Sequence, residues 1–141
     1  MKSPHVLLVD DDRDLLLSIQ AFLTPRGYQV STALSGAEAK RLIPSLVPDL
    51  IVLDVMMESE AEGLVLAQEL QRNPATRHIP VILLTAFLEH LDDKRAPLLF
   101  HLDQPWPGAK LLEKPVHLEA LAATVERLLE ERRALDTEKE A

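Results

Sequence analysis

Three short stretches of this chain are almost purely aliphatic: Val6 to Val9, Leu50 to Leu53 and Val81 to Leu84. None alternates with polar residues. Successive side chains of a strand point to opposite faces, so a strand with one wet face alternates. A strand without polar side chains is covered on both faces, and such strands belong to parallel sheets flanked by helices. A weaker run, Tyr28 to Ala33, and a short one, Lys110 to Leu112, bring the set to five.

Helical patterns fill the gaps. Leu15, Ile19, Phe22 and Leu23 share one helical face, and the helix should stop near Pro25-Arg26-Gly27. Ala39, Leu42 and Ile43 suggest a second helix, closed by Pro44 and Pro48. Leu66, Ala67 and Leu70 suggest a third, closed by Asn73-Pro74. Near the end, Leu118, Leu121, Ala122, Val125, Leu128 and Leu129 form an amphipathic stripe. Strands alternating with helices imply right-handed crossovers and a doubly wound α/β fold.

The 141 residues suit one domain, here residues 1–135. Residues 136–141 should be a frayed, charged tail with no output domain after it. Aromatic residues are 4% of the chain, so aliphatic side chains must fill the core. The net charge of −8 argues against nucleic acid as a direct partner, because phosphate-backbone binding needs a basic surface. There is no cysteine, which excludes disulfides and thiolate metal sites. No apolar run approaches the roughly 20 residues that span a bilayer, and the N-terminus does not read as a signal peptide. The expected location is the cytoplasm, with no membrane partner.

Ligands of open α/β sheets bind outside the carboxyl ends of the strands. After the first strand comes Asp10-Asp11-Asp12; the third ends at Asp54, the fourth at Thr85, and the fifth is followed by Lys114-Pro115. Each feature alone has an ordinary structural explanation. Asp12 reads as a helix cap rather than a site residue. Together the rest make one site. Crowded carboxylates repel, and one of them binds a proton more tightly unless a cation is present. Oxygen ligands without His or Cys suit Mg²⁺ or Mn²⁺. An acidic nucleophile between a metal and a lysine can accept a phosphoryl group. His5, His78, His90, His101 and His117 are scattered and suggest no metal site, and Trp106 reads as a packing anchor.

Four segments resemble the receiver domains of bacterial two-component response regulators: residues 7–12, 48–57, 80–86 and 112–116, in family order. The resemblance implies a flavodoxin-like (βα)5 sheet with strand order 2-1-3-4-5. It implies that Asp54 is phosphorylated by a histidine kinase or a histidine phosphotransfer protein. Asp11 and Asp54 would ligate Mg²⁺ through side chains, Met56 through its carbonyl, and Asp10 through a metal-bound water. Thr85 would bond a phosphoryl oxygen and shift inward, and Lys114 would pair with the phosphoryl charge. The Lys114–Pro115 bond would be cis. Met56, Ala86 and Phe87 would flank the path of attacking water, and apolar Met56 and Phe87 predict slow loss of the phosphoryl group. The protein would be a phosphoacceptor rather than an enzyme, with output by contact with a downstream protein.

Three features depart from the family pattern. Glu58 stands where Pro is usual, and Gly63 comes one position late. Leu111 occupies the switch position where relatives carry Tyr or Phe. The stretch from Thr85 to Lys114 is long. A receiver that is never phosphorylated and serves only as an interaction module remains an alternative. So does a phosphatase of the haloacid dehalogenase type, with Asp10 and Asp12 as its acidic pair. A monomer is expected; Leu121, Leu128 and Leu135, spaced by heptads, offer a dimer through the last helix.

Overall fold

The computed structural model describes residues 3–55, 62–86 and 109–140. The expectations for Met56, Phe87, His90, His101, Trp106, the acidic stretch 58–61 and residues 87–108 lie outside these residues. The elements in chain order are β1 (His5–Val9), α1 (Arg13–Leu23), β2 (Gln29–Ala33), α2 (Gly36–Leu46), β3 (Leu50–Asp54), α3 (Glu62–Arg72), β4 (Val81–Ala86), β5 (Ala109–Lys114) and α4 (Leu118–Glu140). The strands form one parallel sheet in the order β2-β1-β3-β4-β5, as the resemblance implied.

The unbroken aliphatic runs explain the two layers. Val6, Leu8, Leu50, Val52, Ile82 and Leu84 face Leu16, Ile19 and Leu23 of α1 and Leu121, Val125 and Leu128 of α4. Their neighbours Leu7, Val9, Ile51, Leu53, Val81 and Leu83 face Ala39 and Ile43 of α2 and Leu66, Ala67 and Leu70 of α3. Both faces of the central strands are therefore dry. Polar chemistry is left to the strand ends. The sheet grows outward in two directions from β1 and β3, and ligands of open sheets sit where that direction reverses.

Helix ends follow local chemistry. The Asp12 carboxylate caps α1 by accepting the Leu15 N–H at 3.1 Å, as expected. Ser35 caps α2 through the Glu38 N–H. A short 3₁₀ turn, Thr24–Arg26, closes α1 at Gly27, whose φ of 100° lies in the left-handed region that glycine tolerates.

Three expectations change. Pro44 lies inside α2 rather than closing it. In the last turn a proline forfeits only one helical N–H bond, and the stop is made by Val47 at φ 44°, whose N–H bonds the Ile43 carbonyl. Residues 136–140, expected to belong to a frayed tail, continue α4, which runs to Glu140. The run after Leu129 has no Gly or Pro and is rich in Glu, Arg, Ala and Leu, all strong helix formers. The heptad seam is also unavailable as drawn: Leu121 and Leu128 are buried in the core, leaving Leu135 exposed.

Leu8 lies wholly inside the α1/α4 layer. Leu8→Ala should cost about 2–5 kcal/mol in urea unfolding. Leu17→Ala, on the exposed side of α1, should stay within about 0.5 kcal/mol. The reverse ranking would mean that α1 packs through its other face.

Candidate functional site

Asp10 and Asp54 stand at the carboxyl ends of the two central strands, and each is 1% exposed. Asp10 prolongs the β1–β2 pairing by donating its N–H to the Ala33 carbonyl at 3.1 Å. Asp54 ends β3, and the next residue, Val55, donates its N–H to the Leu84 carbonyl at 3.0 Å. The ladder thus runs to the edge of the sheet and holds both acids on rigid backbone.

Lys114 is the last residue of β5, a strand longer at both ends than the Lys110 to Leu112 core. Its side chain crosses the end of β4. Nζ lies 3.0 Å from Asp10 Oδ2 and 3.3 Å from Asp54 Oδ2. The following bond to Pro115 is cis, as expected. Asp11 is exposed, yet a carboxylate oxygen from each of Asp10, Asp11 and Asp54 lies within 4.8 Å of the others. Asp12 is turned to structural work: its N–H bonds Asp10 Oδ1 at 3.0 Å and its carboxylate caps α1.

Burial pushes the Asp10 carboxyl above the usual carboxylate range. The charge of Asp54 adds to the rise, while the Asp12 N–H and the Lys114 ammonium oppose it without cancelling it. Burial pulls the Lys114 ammonium downward, but the hydrogen bond to Asp10 and the charges of Asp54 and Asp10 outweigh it. The ammonium is held above its ordinary range. One ammonium faces three carboxylates. An oxygen-only donor set with surplus negative charge fits a hard divalent cation.

Thr85 is fully buried near the end of β4 and pairs in register with Glu113, one step before Lys114. Ala86 ends β4 opposite Lys114. Leu111, the expected switch position, pairs in register with Leu83 and is 38% exposed.

Gly63 enters the sequence reading only as a glycine one position late. It lies in the first turn of α3, against the backbone of Asp54 and Val55. A Cβ there would collide with the Asp54 carbonyl oxygen and lie 2.7 Å from Val55 Cα. The available signal was a glycine inside a helix, where it costs stability unless close packing requires it.

Comparison with known proteins gives consistent findings. Residues 6–126 match the family model of the response regulator receiver domain. The chain is 42% identical over 84 residues to the response regulator PleD of Caulobacter vibrioides, covering 60% of this chain and 18% of PleD. It is 38% identical over 138 residues to the transcriptional regulatory protein PrrA of Mycobacterium leprae, covering 97% of this chain and 54% of PrrA. The chain thus spans about half of PrrA and less than a fifth of PleD. Among solved structures, the signal receiver domain of a signal transduction histidine kinase from Syntrophus aciditrophicus superposes with a TM-score of 0.77 at 31% identity, covering 91% of each chain. A response regulator receiver domain protein from Clostridium thermocellum gives a TM-score of 0.75 at 27% identity, covering 94% of this chain and 98% of that one.

Lys114→Met should leave two buried carboxylates facing each other. The expected loss is about 2–3 kcal/mol, below that of a fully buried pair because Lys114 keeps some solvent contact. Asp10 binds its proton above the ordinary range, so the folded state takes up a proton before the unfolded chain does as pH falls. Stability of that kind is present at low pH and is lost as pH rises through the raised range. Removing Lys114 raises that range further. Urea unfolding of the metal-free variant should show a larger loss at about pH 8 than at about pH 5. Equal losses would mean that Lys114 acts through packing alone.

Proposed function

The chain belongs to the response regulator receiver family, and on that footing we propose that it is a phosphoacceptor in two-component signalling. Asp54 takes a phosphoryl group from a histidine kinase or a histidine phosphotransfer protein, with Mg²⁺ or Mn²⁺ bound. The observation that carries this is the buried Asp54 carboxylate at the end of β3, with the Lys114 ammonium 3.3 Å away and the Asp10 and Asp11 carboxylates beside it.

Each residue has a part. One Asp54 oxygen bonds to phosphorus as the bond from phosphorus to the donor's imidazole nitrogen breaks, and the imidazole leaves with the electron pair. Asp10, Asp11 and Asp54 would hold the cation, with the Met56 carbonyl the expected further ligand. When bound, it supplies charge stabilisation to the phosphoryl oxygens. Lys114, already poised between Asp10 and Asp54, takes the phosphoryl charge from the other side. The Thr85 hydroxyl donates to a phosphoryl oxygen. The acids sit on strand ends, so their geometry is preset and little ordering is needed at the moment of transfer.

The haloacid dehalogenase reading loses its ground, since the receiver family model covers residues 6–126. Among the described residues no helix is long and apolar enough to cross a membrane. With a net charge of −8, output is assigned to protein contact rather than to DNA bound by this domain.

Incubation with acetyl phosphate and Mg²⁺ should add one phosphoryl group by intact mass, and Asp54→Asn should add none. Labelling of that variant at the wild-type level would overturn the assignment. Calorimetric titration should show Mg²⁺ binding lost in Asp11→Ala and retained in Asp12→Ala, which gives up only a helix cap worth about 1 kcal/mol. The opposite order would exchange the roles of the two acids.

A further inference from the structure

The backbone of Asp54 and Val55 is held from two sides. On one side the Val55 N–H bonds the Leu84 carbonyl at 3.0 Å, tying the end of β3 to β4. On the other side lies Gly63, in the first turn of α3 and buried. No side chain fits there, because a Cβ would overlap the Asp54 carbonyl oxygen and come within 2.7 Å of Val55 Cα and 3.0 Å of Val55 C. The obstructing atoms are backbone at the hydrogen-bonded end of β3, so they cannot swing aside as the tip of a flexible side chain would. Leu66, Ala67 and Leu70 fix the rest of α3 in the core, so the helix is not free to retreat either.

We infer that Gly63 is a positioning residue for Asp54. Its missing side chain lets α3 press directly on the phosphoacceptor's own peptide, which sets where the Asp54 carboxylate stands relative to Asp10 and Lys114. The connection from Asp54 to Gly63 is one residue longer than the family pattern and ends in this contact. On this inference the contact point is set by the glycine rather than by the length of the connection. Displacing a reacting group by about an ångström can cost on the order of a hundredfold in rate, so the contact bears on reactivity as well as on packing.

This inference rests on the phosphoacceptor reading, and the experiment separates the two. The wild type is labelled with acetyl phosphate over a range of Mg²⁺, giving a saturating rate and a half-saturating Mg²⁺ concentration. Absence of wild-type labelling would sink the phosphoacceptor reading alone. The positional claim would then be judged by amide hydrogen exchange at Val55, which should quicken in Gly63→Ala whether or not the protein is labelled.

With labelling, Gly63→Ala should lower the saturating rate at least tenfold in protein shown by urea melts to be folded. The double variant Glu62→Gly/Gly63→Ala restores a glycine at the family spacing but keeps the obstructing Cβ, and it should remain as slow. Deletion of Ser59 shortens the connection and keeps Gly63, and it should react within about threefold of wild type, a small difference by the same standard. The inference is overturned if the double variant regains the wild-type rate, or if folded Gly63→Ala reacts normally with unchanged Val55 exchange. It is equally overturned if the Ser59 deletion folds but loses the reaction, since connection length would then set the geometry. Should Gly63→Ala not fold, the deletion variant still decides between the two.

Discussion

Both faces of β1, β3 and β4 are sealed by aliphatic side chains, and this burial governs everything else in the molecule. A strand with no wet face must satisfy its backbone groups within the sheet, and the parallel ladders do so from β2 across to β5. Helices are then required on both sides. Once the interior is dry, the only places where charge can gather without great cost are the strand ends, where side chains of several strands meet half out of the core.

The charges there are mutually dependent. Asp10 and Asp54 are buried, where water screens their repulsion poorly, and Lys114 reaches across β4 to bridge them. The lysine does not offset the cost completely: burial, with the charge of Asp54 adding to it, still holds the Asp10 carboxyl above the usual range. Three carboxylates gathered round one ammonium form a cluster that could hold a divalent cation, and under the proposed function Lys114 would partner the phosphoryl charge. Structural residues surround this arrangement closely. Asp12 orients Asp10 through its N–H while capping α1, and Gly63 lets α3 rest on the Asp54 peptide.

Core and surface compete for the same residues in the last helix. The leucines whose heptad spacing suggests a helix pair, Leu121 and Leu128, are spent on the sheet. Beyond them, Arg132 donates to the Asp49 carbonyl at 3.3 Å, and Asp49 in turn accepts the His5 N–H at 2.7 Å. The helix is thus tied to the opposite edge of the sheet from the acids. Spacing alone cannot distinguish a stripe that packs within the chain from one that packs between chains, because both obey the same period.

Local chemistry, by itself, determined a large part of this protein. Unbroken aliphatic runs specify strands covered on both faces, and the order of acids, threonine and lysine after those runs specifies which strand ends carry the site. The Asp12 cap and the stop at Gly27 were also legible, since each depends on one side chain or one backbone angle. Tertiary structure alone decided the rest. Where Lys114 points, and so which acids it bridges, depends on a crossing of β4 that no local pattern encodes. That α2 runs through Pro44 and α4 runs on to Glu140 depends on the balance of whole helices against single residues. The role of Gly63 was hidden for the same reason: a missing Cβ acquires meaning only when another backbone, Asp54 and Val55, arrives to occupy its place.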